Sequence, residues 1–181
     1  MRRLIFYFSI LFVTVSCAGF RNVDPPVGLN KNNVENINGI YKNFPLSKNG
    51  FYVRTLTDVL DRNNNMFNWT EKYNNDDIKI RLEMVEKNRL HVEISESEKT
   101  LFSKDLKVKL KKDGLLYLKE KRFMLDGIPL VLGGWNLQKS RFALDSNNNL
   151  RIQSNYFYCN GVLVLISELK TLHYDFIFEK Q

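Results

Sequence analysis

Histidine and cysteine are scarce in this chain of 181 residues, two of each, and that scarcity narrows the chemistry. His91 and His173 lie far apart and lack the spacing of metal ligands. The chain has no His-Glu-x-x-His, no Gly-x-Ser-x-Gly and no paired-cysteine motif. Gly133-Gly134 lacks the third glycine and the following helix that a phosphate loop needs. The adjacent carboxylates Asp76-Asp77 fall in a turn-like segment, where Asp and Asn are expected anyway. A glycosidase-type carboxylate pair is a catalytic arrangement that motifs do not address, because such pairs assemble from distant strands. The expectation is a protein that is not an enzyme, with no metal site and no cofactor.

The N-terminus carries more information. Met1-Arg2-Arg3 is a short positive start, and Leu4 to Val15 is an apolar run broken only by Ser9 and Thr14. A helix needs about 20 residues to cross a bilayer, so this run is too short to span one. A positive start, a short apolar run and small residues after it describe an export signal. Outside the cytoplasm nucleic acid is not an expected partner.

Thr14-Val15-Ser16-Cys17 resembles the lipobox of bacterial lipoproteins, in a relaxed form ending Ser-Cys of the kind common in the Bacteroidota. The family prefers Leu where this chain has Thr14. The resemblance implies a signal peptide over residues 1–16, a lipid on the Cys17 thiol, cleavage before Cys17 and acylation of the new N-terminus. Several acyl chains make such an anchor stable, at roughly 0.8 kcal/mol per buried methylene. Ala18 is not acidic and no acidic run follows, so the implied place is the outer membrane, facing the periplasm. With Cys17 lipidated, Cys159 has no partner in the chain and is expected to be buried as a small apolar residue. Without lipidation, a Cys17–Cys159 disulfide is the rival reading.

Residues 17–35 read as a tether, with Asp24-Pro25-Pro26 and Asn30-Lys31-Asn32-Asn33 and little apolar periodicity. It would hold the domain off the membrane. Residues 36–181 suit one domain, long enough to bury a sizeable core.

That domain reads as strand. Ile78, Ile80, Leu82 and Met84 alternate with Lys79, Arg81 and Glu83, and Leu90, Val92 and Ile94 alternate with His91, Glu93 and Ser95. Glu86-Lys87-Asn88-Arg89 between them makes a hairpin turn. Leu106, Val108 and Leu110 alternate with Lys107, Lys109 and Lys111, followed by Lys112-Asp113-Gly114, with Gly at a positive-φ position, and by Leu116 and Leu118. Phe142 and Leu144 lead through Asp145-Ser146-Asn147-Asn148-Asn149 to Leu150 and Ile152, with further strands over 155–159, 162–167 and 172–178. Thr55 to Asp61 is the one short helical candidate, ended by Asn63-Asn64-Asn65. Strands with one apolar and one charged face form antiparallel sheets with a wet side. The expected fold is all-β, an antiparallel meander barrel or sandwich of about 8–10 strands with at most one short helix.

Three segments are candidate sites. Residues 104–122 hold eight basic side chains (Lys104, Lys107, Lys109, Lys111, Lys112, Lys119, Lys121 and Arg122) against three acidic ones. The chain as a whole carries a formal charge of +7. Like charges across a strand pair repel, so the hairpin invites an anionic envelope partner: phospholipid headgroups, lipopolysaccharide or acidic glycans. A solvated face that guards against edge pairing is the other reading. Gly39-Ile40-Tyr41 resembles the first-strand Gly-x-Trp of lipocalin-like barrels, with Tyr41 in the Trp place. That resemblance implies a calyx with an apolar ligand, although no C-terminal helix with a closing Arg is evident. Gly133-Gly134-Trp135 can place a Trp in a mouth loop over a ligand or at a packed strand corner.

Two functions follow. One is a lipid-tethered barrel that holds an apolar or amphipathic small molecule, with an apolar cavity larger than about 300 Å³. The other is a structural or protein/glycan-interaction module of the envelope that uses the lysine-rich hairpin. Composition names no individual ligand-binding residue.

Overall fold

The computed structural model describes residues 20, 28–47, 50–61, 73, 75–119, 122–128, 132–162 and 165–181, with backbone alone at 122–128, 132, 161, 162 and 165–167. Cys17 and the proline pair of the tether lie outside the described residues.

The described chain is all-β. Its strands are β1 (Gly39–Lys42), β2 (Ile78–Glu86), β3 (Arg89–Glu96), β4 (Lys99–Leu110), β5 (Leu116–Leu118), β6 (Arg122–Ile128), β7 (Leu132–Leu144), β8 (Leu150–Val162) and β9 (Leu165–Phe178). All pair antiparallel in one sheet of order β1-β2-β3-β4-β5-β7-β8-β9, and β6 also pairs with β7. β5 and β6 share one lane along β7: Leu116 faces Phe142 and Tyr117 faces Arg141, then Arg122 faces Gln138 and Ile128 faces Leu132.

The sheet curls until its ends meet. The Lys42 N–H donates to the Glu179 carbonyl at 3.0 Å, the Gln181 N–H to that of Ile40 at 2.8 Å, and the Leu46 N–H to that of Ile177 at 2.8 Å. On the opposite side the Lys119 N–H still reaches the Lys107 carbonyl at 2.8 Å. Beyond that point no pairing among the described residues joins β4 to β6. The result is a barrel-like sheet, closed where β1 meets the C-terminus and open between β4 and β6.

Alternation explains the core. The inward positions fall on even numbers: Ile80, Leu82, Val92, Ile94, Phe142, Ile152, Phe176 and Phe178 are buried in one cluster. The closed end is filled. Tyr41 is fully buried and its hydroxyl donates to the Ile37 carbonyl at 2.7 Å. Ile37 belongs to a 3-10 turn (Val34–Ile37). The predicted helix forms as α1 (Leu56–Leu60), with Thr55 and Asp58 in a reciprocal capping box. Val53, Leu56, Val59 and Leu60 bury into the same cluster, so α1 plugs the barrel. Asn43 pins it there: its Oδ1 accepts from the Thr57 N–H at 3.1 Å.

The predicted turns at Lys87-Asn88, Lys112-Asp113-Gly114 and residues 145–149 stand between the expected strands. Other details differ. The expected strands at 155–159 and 162–167 are not separate: β8 runs unbroken from Leu150 to Val162, and the second segment straddles the β8–β9 connection. The packed unit also begins before Asn36. Leu29 is 3% exposed within the core and donates its N–H to the Gly114 carbonyl at 2.9 Å. Phe20 stacks edge-on against Tyr117. This part of the expected tether lies on the domain rather than holding it away.

Candidate functional site

The inner face changes character along the three long strands. From Phe142 toward the open end the inward positions of β7 become Ser140, Gln138 and Asn136, all buried. Opposite them on β8 are Ser154, Tyr156 and Tyr158. The Ser154 hydroxyl ties the apolar and polar halves together, at 3.0 Å from the Ser140 hydroxyl and accepting from Gln138 Nε2 at 3.1 Å. Asn136 is 6% exposed, and its Oδ1 has no hydrogen-bond partner. A buried acceptor left unpaired costs about 1–3 kcal/mol.

Aromatic rings border this polar floor. Tyr52, from the loop before α1, stacks on Tyr156 with ring centres 4.6 Å apart and planes 6° off parallel. It also lies 5.5 Å from the Tyr158 ring. Phe51 is 76% exposed beside it. The loop is held by the Tyr52 N–H, which donates to the Tyr174 hydroxyl at 3.2 Å. The Tyr158 hydroxyl donates to Glu168 at 2.8 Å, and that bond, with burial, pushes the phenol up to about 12. Amides, hydroxyls and phenol rings are thus gathered at the open end, the groups suited to binding a molecule with both donors and a flat apolar face.

A cleft of about 500 Å³ lies on the outer face instead, lined by Ile40, Asp77, Lys79, Arg81, Glu93, Ser95, Ser97 and Glu98. Its lining is charged, unlike the apolar interior cavity expected of a calyx.

The outer face also carries a continuous polar row. Lys109, Tyr117, Arg141, Gln153 and Asp175 oppose one another across five strands. Lys111 Nζ sits 3.6 Å over the Tyr117 ring, and Arg141 donates to the Tyr117 hydroxyl at 2.8 Å and to Gln153 at 2.7 Å. Arg151 grips Asp175 with two bonds of 2.8 and 2.6 Å. Burial works against the Asp175 charge, but the bonds from Arg151 and Gln153 outweigh it and hold the carboxyl below its usual range.

Of the basic hairpin, Lys107, Lys109, Lys111, Lys112 and Lys119 are exposed. Arg89, Lys107 and Lys119 form a row across β3, β4 and the end of β5, since Arg89 faces Lys107 and Lys119 bonds to Lys107 through the backbone. Lys104 faces Val92 and so alternates to the other side of the sheet. Lys121 lies outside the described residues, as does the side chain of Arg122.

Gly133-Gly134-Trp135 does not form a mouth loop. All three lie within β7, and Trp135 packs on the outward side against Phe157 and Cys159. The strands approach closely here: a Cβ on Gly134 would collide with the Cys159 carbonyl. Cys159 is fully buried with a free thiol, and burial raises its pKa.

His91 lies opposite Asp105, Nδ1 to Oδ1 2.7 Å, with the Ser103 hydroxyl 3.4 Å from Nε2. Sequence reading missed this trio because residues 97–105 were not assigned to a strand. It has the order of a nucleophilic triad, but it stands on an open sheet face with Asp105 45% exposed, where nothing excludes water. Its effect is to orient the imidazole. Among the described residues no group of three or more His, Cys, Asp or Glu could hold a metal ion, and no helix is long and apolar enough to cross a membrane.

Comparison with models of known families, with curated proteins and with solved structures found no match.

Proposed function

We propose that the chain is a lipoprotein of the cell envelope, anchored through lipid on Cys17 in the outer membrane facing the periplasm, whose barrel-like domain binds an amphipathic small molecule at its open end. It works by binding, not catalysis. The lipobox-like Thr14-Val15-Ser16-Cys17 supports the anchor.

The unpaired Asn136 Oδ1 carries the binding reading. A ligand hydroxyl or N–H placed on Asn136 would satisfy a group whose isolation is otherwise costly. The ligand's apolar face would lie against Tyr52, Tyr156 and Tyr158. The closed end is filled by Tyr41, Phe142 and Phe178, so a purely apolar molecule buried deep in a calyx has less support than an amphipathic one near the rim.

The test is intact mass spectrometry of the whole protein from its native host, first under non-denaturing and then denaturing conditions. A small mass that leaves on denaturation is expected in the wild type and is lost in Asn136→Leu, with the fold retained. A bare wild-type protein from several growth conditions would overturn the binding reading. The denatured mass also reports the anchor: a mature chain without acyl mass on Cys17 would overturn that part alone.

A further inference from the structure

The lysine hairpin and the start of the chain lie on the same outer face. Phe20 packs on Tyr117, ring centres 5.7 Å apart and 82° between planes, and the Arg141 guanidinium lies 4.5 Å from the Phe20 ring centre. Tyr117 is the cross-strand partner of Lys109 and the ring under Lys111 Nζ. Cys17 is three residues before Phe20. Even fully extended, three residues reach roughly 11 Å. The lipid-bearing sulfur is therefore confined near the hairpin, and the bilayer its acyl chains enter must come near the same face.

We infer that the exposed row Arg89, Lys107 and Lys119, with Lys109 and Lys111, is a docking surface for an anionic membrane, and that the anchored domain lies against the lipid surface on this face. The inference rests on the lipoprotein reading of Cys17. Charge complementarity gives the partner. Arg89, Lys107 and Lys119 stand side by side across adjacent strands; Arg89 also pairs with Glu86 at 3.5 Å, but Lys107 and Lys119 face each other as like charges, a placement that costs energy in isolation. Headgroup phosphates would relieve it. A basic patch beside a membrane gains about as much per lysine as changes partition roughly fivefold. Such a patch supplies the second attachment signal that lets an acyl anchor hold a domain in one orientation.

The experiment uses the mature chain from residue 17, with Cys17→Ser to remove the lipid and without the basic, apolar residues 1–16 that would bind vesicles themselves, and vesicles of phosphatidylcholine with or without phosphatidylglycerol. Sedimentation with the phosphatidylglycerol vesicles alone is expected. It should weaken by at least about a hundredfold in Lys107→Glu/Lys109→Glu/Lys119→Glu, since loss of the three positive charges alone counts about fivefold each, and fade as salt rises. Binding that survives the triple reversal would overturn the proposal. So would no binding to either vesicle, or binding to a soluble acidic polysaccharide without binding to vesicles. A second measurement keeps the anchor separate. In the lipidated wild type reconstituted in phosphatidylglycerol vesicles, Lys109 and Lys111 should resist an amine-reactive reagent that leaves Lys42 labelled. Equal labelling of all three would overturn the docking even with the acyl mass on Cys17 present, whereas an absent acyl mass would overturn the anchor only.

Discussion

Lys180 lies over the ring of Tyr41, its Nζ 5.7 Å from the ring centre, while the backbones of the same two residues pair as an antiparallel bridge. The Lys180 ammonium also donates to the Asn36 carbonyl at 2.9 Å. The last residues of the chain thus clasp the first strand by backbone, ring and 3-10 turn together. The sequence offered no C-terminal Arg to close the barrel. A lysine at the end of an extended segment does so instead, beside the Tyr41 of Gly39-Ile40-Tyr41.

This clasp makes Tyr41 a sensitive position. Tyr41→Phe leaves the buried Ile37 carbonyl without its donor and should cost about 1–3 kcal/mol. Tyr41→Ala also opens a cavity and should cost about 3–5 kcal/mol, in the range of large aromatic truncations. Urea unfolding midpoints of both variants check this. A Tyr41→Ala protein as stable as the wild type would mean that the clasp contributes little.

Gly114 is tested differently, through backbone conformation. Its φ is +73°, and an added Cβ would meet Gly28 Cα at 2.9 Å. Gly114→Ala should therefore destabilise by about 1–2 kcal/mol from the left-handed conformation alone. It should also loosen residues 28–29, which hydrogen exchange at the Leu29 amide would report. Unchanged protection there would show that the N-terminal segment does not depend on this turn.

The strands were legible because inward and outward residues alternate, and Ile78 to Ile94 needs no other signal. The β3–β4 turn was not. Ser97 and Glu98 take φ of +45° and +72° without Gly or Asn, so nothing in Glu96-Ser97-Glu98-Lys99 announces a two-residue hairpin, and the first half of β4 went unread. The candidate site was harder still. A search for apolar alternation stops at Phe142, where the inward positions become Ser140, Gln138 and Asn136. The period continues there with polar residues, and that continuation was the available signal. The stacking of Tyr52 on Tyr156 joins a loop to a strand a hundred residues away, which no local pattern encodes. The polar row from Lys109 to Asp175 depends on register across five strands, fixed only once every turn length is known.

Acid should weaken the far end of that row. The Asp175 carboxyl is held below its usual range by Arg151 and Gln153, against the opposing effect of burial. A depressed carboxylate adds stability above its unfolded pKa, near 3.9, and that stability is lost as pH falls through the folded value. Wild-type stability should therefore drop below about pH 4 by more than that of Asp175→Asn, which lacks the titrating group. Urea midpoints at neutral pH and at pH 3 for both proteins decide it: parallel losses would remove Asp175 from the account.

Cys159 should behave as an apolar core atom. It is fully buried beneath Trp135, Leu137 and Phe157, and burial raises the thiol pKa, which keeps the reactive thiolate scarce. Thiol reagents should modify it slowly in the folded protein at neutral pH and at full rate in urea. Because the nucleophile is the thiolate, raising the pH by one unit should speed modification of the unfolded chain about tenfold, as long as the pH stays below the thiol pKa. In the folded chain the rate should follow the opening of the β7–β8 face, so it should rise with destabilisation at fixed pH. A folded protein that reacts as fast as the unfolded one would place Cys159 at an accessible surface and remove it from this cluster.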